Sequence, residues 1–203
     1  MDRKKHWETV YEQKSPSEVS WYQRDPVLSL ELIQNAGIAR DAAIIDVAGG
    51  ASVLVDRLLA IGYRNVSVLD LSVKALAYAQ ARLSGTSHHV TWIEADITAF
   101  APPVSYDLWH DRAVFHFLTD ADDRRKYVEV LKQSVKSGGH VIIAAFAIGG
   151  PTQCSGLDIV QYDAEKLSDT LGAPFRLVEE RAELHVTPAD KEQKFVYFRF
   201  VRE

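Results

Sequence analysis

One short segment constrains the fold of this chain most: the turn Asp-Val-Ala-Gly-Gly-Ala-Ser at residues 46–52. It lies between an apolar run at residues 42–45 and an amphipathic segment at residues 53–61, and Asp70 ends the next apolar run. A strand, a glycine-bearing turn, a helix and a second strand closed by an acid form a nucleoside-binding half-site. Small residues let the backbone approach the ligand closely, and free N–H groups at the start of the helix can donate to it. The acid can accept hydrogen bonds from the ribose hydroxyls. Dinucleotides and S-adenosylmethionine both use such a site.

The composition favours one folded domain and a small ligand. With 203 residues, 47% of them hydrophobic, the chain can form a single core, so we expect one domain over residues 1–203. Within it we expect a helical lid segment at residues 1–37 and a core at residues 43–203. The net charge of −5 argues against a nucleic-acid partner, whose phosphates require a basic face. The single cysteine, Cys154, excludes an internal disulfide and a cysteine-rich metal site, so no metal is expected.

No segment of the sequence indicates a membrane or an export signal. The chain has no apolar run long enough to span a bilayer, and its first residues lack the apolar core of a secretory signal. We therefore expect a cytoplasmic protein that has no membrane partner.

Strands and helices alternate along most of the chain. Apolar runs predict seven strands, at residues 43–47, 65–69, 90–95, 106–110, 139–146, 176–186 and 194–201. Helices are predicted at residues 3–14, 26–36, 53–61, 73–83, 122–135 and 164–171. This order predicts an α/β fold, a doubly wound and mostly parallel seven-stranded sheet with helices on both faces. The last two strands have no helix between them, so they should form a C-terminal antiparallel hairpin at one sheet edge.

An acid after the third strand, Asp96, separates the two ligand classes. Its carboxylate can accept from an adenine amino group, while the backbone N–H of Ile97 can donate to a ring nitrogen. A dinucleotide site does not require such an acid. A dinucleotide-binding domain would also continue with further crossover connections, where this chain has a hairpin. Because ligands bind outside the carboxyl ends of parallel strands, we expect Asp70, Asp96 and the pair His110 and Asp111 to share one edge. Together these features favour S-adenosylmethionine.

On these motifs the chain resembles the class I S-adenosylmethionine-dependent methyltransferases over essentially its whole length. Residues 44–52 are similar to their first motif, acid-x-Gly-x-Gly-x-Gly, and residues 68–72 are similar to the second. Asp96 stands at the third motif, and residues 106–118 resemble the fourth.

Two further likenesses concern smaller groups within this family. A bacterial group has similar segments at residues 109–118 (Trp-His-Asp-Arg-Ala-Val-Phe-His-Phe-Leu), 154–157 (Cys-Ser-Gly-Leu) and 185–188 (His-x-Thr-Pro). The opening His6-Trp7-Glu8 with Tyr11, and the later Ser20-Trp21-Tyr22-Gln23, resemble the seven-strand protein-lysine methyltransferases, in which the N-terminal segment covers the cofactor.

The resemblance implies a set of site residues. Those expected to bind the cofactor are Trp21, Asp46, Ala48, Gly49, Gly50, Asp70, Leu71, Asp96, Ile97 and Asp111. Trp21 and Tyr22 are expected to act as a lid. His110 and Asp111, at the end of the fourth strand, are the candidate catalytic residues, because a histidine can deprotonate a weakly acidic acceptor near neutral pH. The alternative for Asp111 is an ion pair with Arg112 that shapes the pocket.

Ala48 departs from the family motif, since it stands where the first glycine usually lies. If that position requires a positive φ, alanine costs about 1 kcal/mol. The sequence favours the second interpretation, in which the methyl group of Ala48 only narrows the approach to the methionine end of the cofactor.

The predicted function is transfer of the sulfonium methyl of S-adenosylmethionine to an unidentified acceptor by in-line displacement, which leaves S-adenosylhomocysteine. The acceptor is expected to be a small molecule or a protein lysine. Two roles stay open for each of His116, His185 and Cys154: contact with the acceptor, or packing within the fold. Three alternatives also stay open: a protein-lysine methyltransferase specifically, a nucleotide-linked oxidoreductase, and a non-catalytic sensor that binds the cofactor.

Overall fold

Alternating strands and helices build a central sheet in the computed structural model, which describes residues 2–203. The strands of the described chain are β1 Ala43–Val47, β2 Asn65–Asp70, β3 Val90–Glu94, β4 Tyr106–Arg112, β5 Val135–Phe146, β6 Gln153–Cys154, β7 Leu157–Asp158, β8 Phe175–Val186 and β9 Glu192–Arg202. The α-helices are α1 Arg3–Gln13, α2 Val27–Asn35, α3 Leu54–Ala60, α4 Val73–Arg82, α5 Ala121–Ser134 and α6 Ala164–Leu171.

Seven of these strands form one sheet in the order β3-β2-β1-β4-β5-β9-β8. The first five are mutually parallel, whereas β9 is antiparallel to both β5 and β8. The predicted fold class is confirmed, including the hairpin at one edge. The chain leaves β1 toward β2 and later returns to add β4 on the other side of β1. Such a reversal of strand order opens a crevice at the carboxyl ends of the strands.

Alternation along the buried strands divides the core between the two faces of the sheet. Ile44 packs with α2, α3 and α4, and the next residue, Ile45, packs on the opposite side with α5 and α6. Leu108 and Trp109 of β4 divide in the same way. Because both faces are covered, β1 is buried along its whole length rather than at alternate residues.

The N-terminal helix α1 lies against the start of α4. Its N-cap is Asp2, whose side chain accepts from the backbone N–H of Lys5. Glu8 accepts a hydrogen bond from the backbone N–H of Val73 at 2.7 Å, and Val73 is the first residue of α4. Because α4 follows β2, this attachment holds α1 close to the carboxyl edge of the sheet.

Several predicted strands and helices end one or two residues from the observed ends, and two differences are larger. β5 begins at Val135, before the glycine pair Gly138 and Gly139 that had suggested a later start at residue 139. Gly138 has a φ of +75°, so the strand bends through the pair instead of beginning after it. The short antiparallel pair β6 and β7 was not predicted. Within residues 2–203, no helix combines the length and apolar character needed to cross a membrane.

Candidate active site

Two adjoining cavities open at the carboxyl edge of the sheet, and we call them together the cleft. The first cavity is lined by Asp70 and Leu71 after β2 and by Asp96 and Ile97 after β3. The second cavity lies between the turn after β1 and helix α2. The residues that line both cavities are Tyr11, Trp21, Val47, Ala48 and Arg112. The structure therefore brings most of the sequence-predicted residues to one place.

Close packing explains the two glycines of the turn after β1. A Cβ atom added to Gly49 would lie 2.2 Å from Oδ2 of Asp46. A Cβ atom added to Gly50 would lie 2.6 Å from Oδ2 of Asp70 and 2.7 Å from Cβ of Ala75. Gly49 lines the second cavity, whereas Gly50 lies behind the cleft and donates its N–H to Asp70 at 3.1 Å. Both positions exclude any side chain.

Ala48 has a φ of 51°, so its position requires the left-handed conformation. The conformational cost of alanine at this position therefore applies, although the sequence favoured the interpretation that Ala48 only narrows the approach to the cofactor. Ala48 also lines both cavities, which puts its methyl group on the surface of the cleft.

We expect Ala48→Gly to raise the free energy of unfolding by about 0.5–1 kcal/mol, because glycine removes the left-handed strain but loses more backbone entropy on folding. Urea unfolding measures this change. Ala51→Gly in the same turn is the control, since Ala51 is not among the residues with positive φ and glycine should be destabilising there. Equal effects of the two substitutions would contradict the strain at Ala48.

Asp70 joins the turns that follow β1 and β2. Its Oδ2 accepts from the N–H of Gly50 at 3.1 Å, and its Oδ1 accepts from the N–H of Ser72 at 2.8 Å. Burial raises the pKa of this carboxyl to about 6, against the lowering effect of these backbone hydrogen bonds. The helix N-cap of α4 is Ser72 rather than Asp70. Each carboxylate oxygen of Asp70 retains a lone pair that can accept from a ligand in the first cavity.

Asp96 leaves one carboxylate oxygen open toward the first cavity. Its Oδ1 accepts from the N–H and the hydroxyl of Thr98, at 2.8 and 2.7 Å. Its Oδ2 lies 3.8 Å from Nη1 of Arg3, whose guanidinium also pairs with Asp123. The Asp96 side chain is 36% exposed, so the pair with Arg3 is a weak constraint. Oδ2 of Asp96 therefore retains the capacity to accept from a ligand in the first cavity, and its contact with an adenine amino group stays a prediction.

Asp46 and His110 form a buried pair beneath the second cavity. Nδ1 of His110 lies 2.7 Å from Oδ1 of Asp46, and its Nε2 lies 2.9 Å from Oγ of Ser29 on α2. Both ring nitrogens of His110 are therefore hydrogen-bonded within the protein. Its role as a base stays a prediction. Oδ2 of Asp46 is buried without a hydrogen-bond partner. Asp46 also lines the second cavity.

Asp111 does not line either cavity of the cleft, and its side chain is fully buried. Its contacts are those of a structural residue, and its roles in catalysis and cofactor binding stay predictions. Adjacent residues of a strand face opposite sides, and Asp111 faces α5 while His110 faces α2. Asp111 accepts from the hydroxyl of Tyr127 at 2.6 Å and from the N–H of Val114 at 3.1 Å. Burial raises its pKa to about 6. Among the described residues no ion pair joins Asp111 to Arg112, whose carboxylate partner is Glu183.

Aromatic side chains from the N-terminal segment cover the first cavity. The rings of Trp7 and Trp21 meet edge to face with centroids 5.7 Å apart, and Trp7 meets Phe117 at 5.1 Å. The ring of Tyr11 lies 6.4 Å from that of Trp21. All four residues line the cavity. An aromatic wall of this kind favours a flat ring as ligand.

The three side chains whose roles stayed open all lie outside the lining of the cleft. His116 is fully buried and stacked on Phe146, and burial lowers its pKa to about 3. His185 lies 2.8 Å from the backbone oxygen of Ser20. Cys154 is buried, and burial raises the pKa of its thiol. None of the three is poised as a base in the cleft.

Sequence reasoning missed Ser29 and the contacts of Arg112. Ser29 is a polar residue in an apolar stretch of α2, and its burial against His110 has no signal in the sequence beyond that contrast. The charged partner of Arg112 is Glu183 of β8, at 3.4 Å.

Comparisons with known proteins agree with this geometry. A family model described as a methyltransferase domain matches residues 44–139, from β1 into β5. Among curated protein sequences, none matches this chain.

Solved structures match the whole fold. N-methyltransferase NodS from Bradyrhizobium japonicum WM9, in complex with S-adenosyl-L-homocysteine, is 16% identical, with 96% of this chain and 97% of that chain covered and a TM-score of 0.70. An S-adenosylmethionine-dependent methyltransferase from Anabaena variabilis ATCC 29413 is 15% identical, with 100% and 96% covered and a TM-score of 0.77. The glycopeptide N-methyltransferase MtfA, also with S-adenosylhomocysteine, is 14% identical, with 90% and 92% covered and a TM-score of 0.69. At these identities the likeness establishes the fold.

The methyltransferase domain that matches residues 44–139 and the shared fold together support the prediction of a class I S-adenosylmethionine-dependent methyltransferase, an enzyme. The alternative of a nucleotide-linked oxidoreductase has no support among these comparisons.

Proposed function

We propose that the chain transfers the methyl group of S-adenosylmethionine to a nitrogen atom of a small-molecule acceptor. The observation that carries this proposal is the placement of three acids along the cleft. Asp70 and Asp96 line the first cavity, and the unpartnered Oδ2 of Asp46 lies at the second. In this assignment Asp96 and Ile97 hold the adenine, Asp70 accepts the ribose hydroxyls, and Asp46 accepts from the methionine ammonium.

The remaining residues of the site would position the reactants and exclude water. S-adenosylmethionine supplies a methyl group that its sulfonium already activates, so the protein needs neither a metal nor a strong electrophile. Ala48 and Trp21 line both cavities and so border the place where the two halves of the cofactor would meet. The aromatic cover formed by Trp7, Tyr11 and Trp21 would keep this region dry, which assists a displacement between oriented groups.

A nitrogen acceptor fits a site whose acids bind the cofactor. In this proposal Asp46, Asp70 and Asp96 are engaged by the cofactor, and His110 is already hydrogen-bonded through both ring nitrogens. An alcohol acceptor requires a base to remove its proton, whereas a neutral amine attacks through its lone pair and releases a proton to water afterwards. NodS and MtfA, which share this fold, are N-methyltransferases by name.

The second candidate is methylation of a protein lysine, which is also a nitrogen acceptor. The net charge of −5 would suit a cationic lysine segment. The two candidates differ in the size of the product, and this difference can be measured directly.

The test uses S-adenosylmethionine labelled in its methyl group, a cell extract, and the purified chain. The proposal expects label in the small-molecule fraction, above the level obtained with Asp70→Ala as the matched control. Label confined to a protein band would replace the small molecule with a lysine acceptor. Absence of label from both fractions, although the chain binds the cofactor, would favour the non-catalytic sensor.

A further inference from the structure

Three sequence motifs that the proposed function leaves without a role meet at one place. They contribute Arg112 at the end of β4, Cys154 of β6 and His185 of β8, and all three contact residues 20–23, which we call the strap. The strap joins α1 to α2 and contains Trp21. Its contacts are therefore made by three separate elements of the core.

Arg112 makes the central contact with the strap. Its Nη1 donates to the backbone oxygen of Trp21 at 2.9 Å, and its Nε donates to the hydroxyl of Tyr197 at 2.7 Å. Its Nη2 lies 3.4 Å from Oε2 of Glu183. The guanidinium carbon also lies 4.5 Å from the centroid of the Phe195 ring. The side chain is 9% exposed, so this geometry is fixed from several directions.

Further contacts hold the strap on either side of Trp21. Nε2 of Gln23 donates to Oε1 of Glu183 at 2.8 Å. The ring nitrogen Nε2 of His185 lies 2.8 Å from the backbone oxygen of Ser20, and it must carry the proton because that oxygen only accepts. The hydroxyl of Tyr197 donates to Glu183 at 3.0 Å, which ties the acid to the same group.

We propose that Arg112 is a positioning residue that holds the strap closed and thereby places the Trp21 ring over the cleft. Trp21 lines both cavities and packs against Trp7 and Tyr11, so the position of its backbone decides whether the aromatic cover is complete. Arg112 itself lines both cavities from the core side. It therefore couples the end of β4 to the cover of the cofactor site. This inference rests on the proposed function.

The role requires arginine rather than a positive charge alone. The planar guanidinium reaches an oxygen of Trp21, of Tyr197 and of Glu183 at once, in three directions. A lysine ammonium on a flexible stem can keep the pair with Glu183 but cannot make the same three contacts. Arg112→Lys therefore preserves the positive charge and removes the planar guanidinium that makes the three contacts.

The experiment compares Arg112→Lys with Arg199→Lys. Arg199 is a matched control because it lies on the β8–β9 hairpin, pairs with Glu179 through Nε and Nη2 and is 14% exposed. In the described part of the chain its side chain bonds Glu179 and His140 and not the strap. Trypsin can cleave after Lys14 and Arg24, two exposed residues that flank the strap. Cleavage rates at these two bonds, mapped by mass spectrometry, report strap opening, and calorimetry reports the dissociation constant for S-adenosylhomocysteine.

In Arg112→Lys we expect faster cleavage at both bonds without ligand and a dissociation constant raised by about tenfold or more, from the lost hydrogen bond of a charged donor. Arg199→Lys should leave both quantities unchanged, even if it lowers the melting temperature equally. Unchanged cleavage in Arg112→Lys, or equal changes in the two variants, would overturn the positioning role. If the wild-type chain bound no S-adenosylhomocysteine, the proposed function would fail, and cleavage without ligand would still test the strap.

Discussion

Replacement of Asp70 by alanine is expected to raise the dissociation constant for S-adenosylhomocysteine by about a hundredfold. A carboxylate that accepts two ribose hydroxyls makes two charge-assisted hydrogen bonds, each contributing roughly 1.5–3 kcal/mol. Asp70 also fixes the backbone around the site, since it accepts from the N–H groups of Gly50 and Ser72. Both consequences of the substitution weaken binding, and titration calorimetry measures their sum.

The chain should remain folded without the Asp70 carboxylate. Burial raises the pKa of this group to about 6, so the fold disfavours its charge, and removal of that charge offsets part of the lost hydrogen bonding. The control is Asp56→Ala, which removes an acid of α3 that pairs with Arg82 outside the cleft. A dissociation constant in folded Asp70→Ala equal to that of Asp56→Ala would show that Asp70 only supports the turns.

Asp111→Ala should lower the free energy of unfolding by about 3 kcal/mol, because it leaves buried donors without acceptors. The groups concerned are the hydroxyl of Tyr127 and the N–H groups of Val114 and Phe115. Urea unfolding measures the loss, and a thermal scan should show a melting temperature lower by roughly 6–12 °C.

Asp111→Asn separates this structural role from a catalytic one. Asparagine keeps an oxygen that can accept from Val114 and Phe115, so most of the stability should return. The dissociation constant for S-adenosylhomocysteine should stay within about twofold of the wild-type value, since Asp111 faces α5 and not the cleft. A folded Asp111→Asn chain that had lost cofactor binding would restore the original assignment of this residue.

Local chemistry made much of the fold predictable. Strand β1 was predicted with its observed ends because it is mostly apolar, with Asp46 as its one charged residue, and is bounded by the turn at Ala48. Helix α6 was also predicted with its observed ends, since Asp163 caps its start and Gly172 follows its end with a φ of 78°. The observed start of β5 was not predicted, because in a sequence a glycine pair resembles the boundary of a strand even where the strand continues through it.

The site was predictable in its position but not in the direction of its side chains. The rule that ligands bind at strand ends predicted that Asp70 and Asp96 share one edge of the sheet, and both line the first cavity. Two-residue alternation required His110 and Asp111 to face opposite sides, but nothing local indicated which side held the cleft. The contact between Arg112 and Trp21 spans 91 residues of sequence, so only the folded chain reveals it.

The most direct test of the central claim is a calorimetric titration of the purified chain with S-adenosylhomocysteine and, separately, with NAD. The claim is that the three acids along the cleft form a site for S-adenosylmethionine and its product. It predicts saturable binding of S-adenosylhomocysteine with one molecule per chain and no heat of binding for NAD. Preferential binding of NAD, or no binding of S-adenosylhomocysteine by the folded chain, would contradict it.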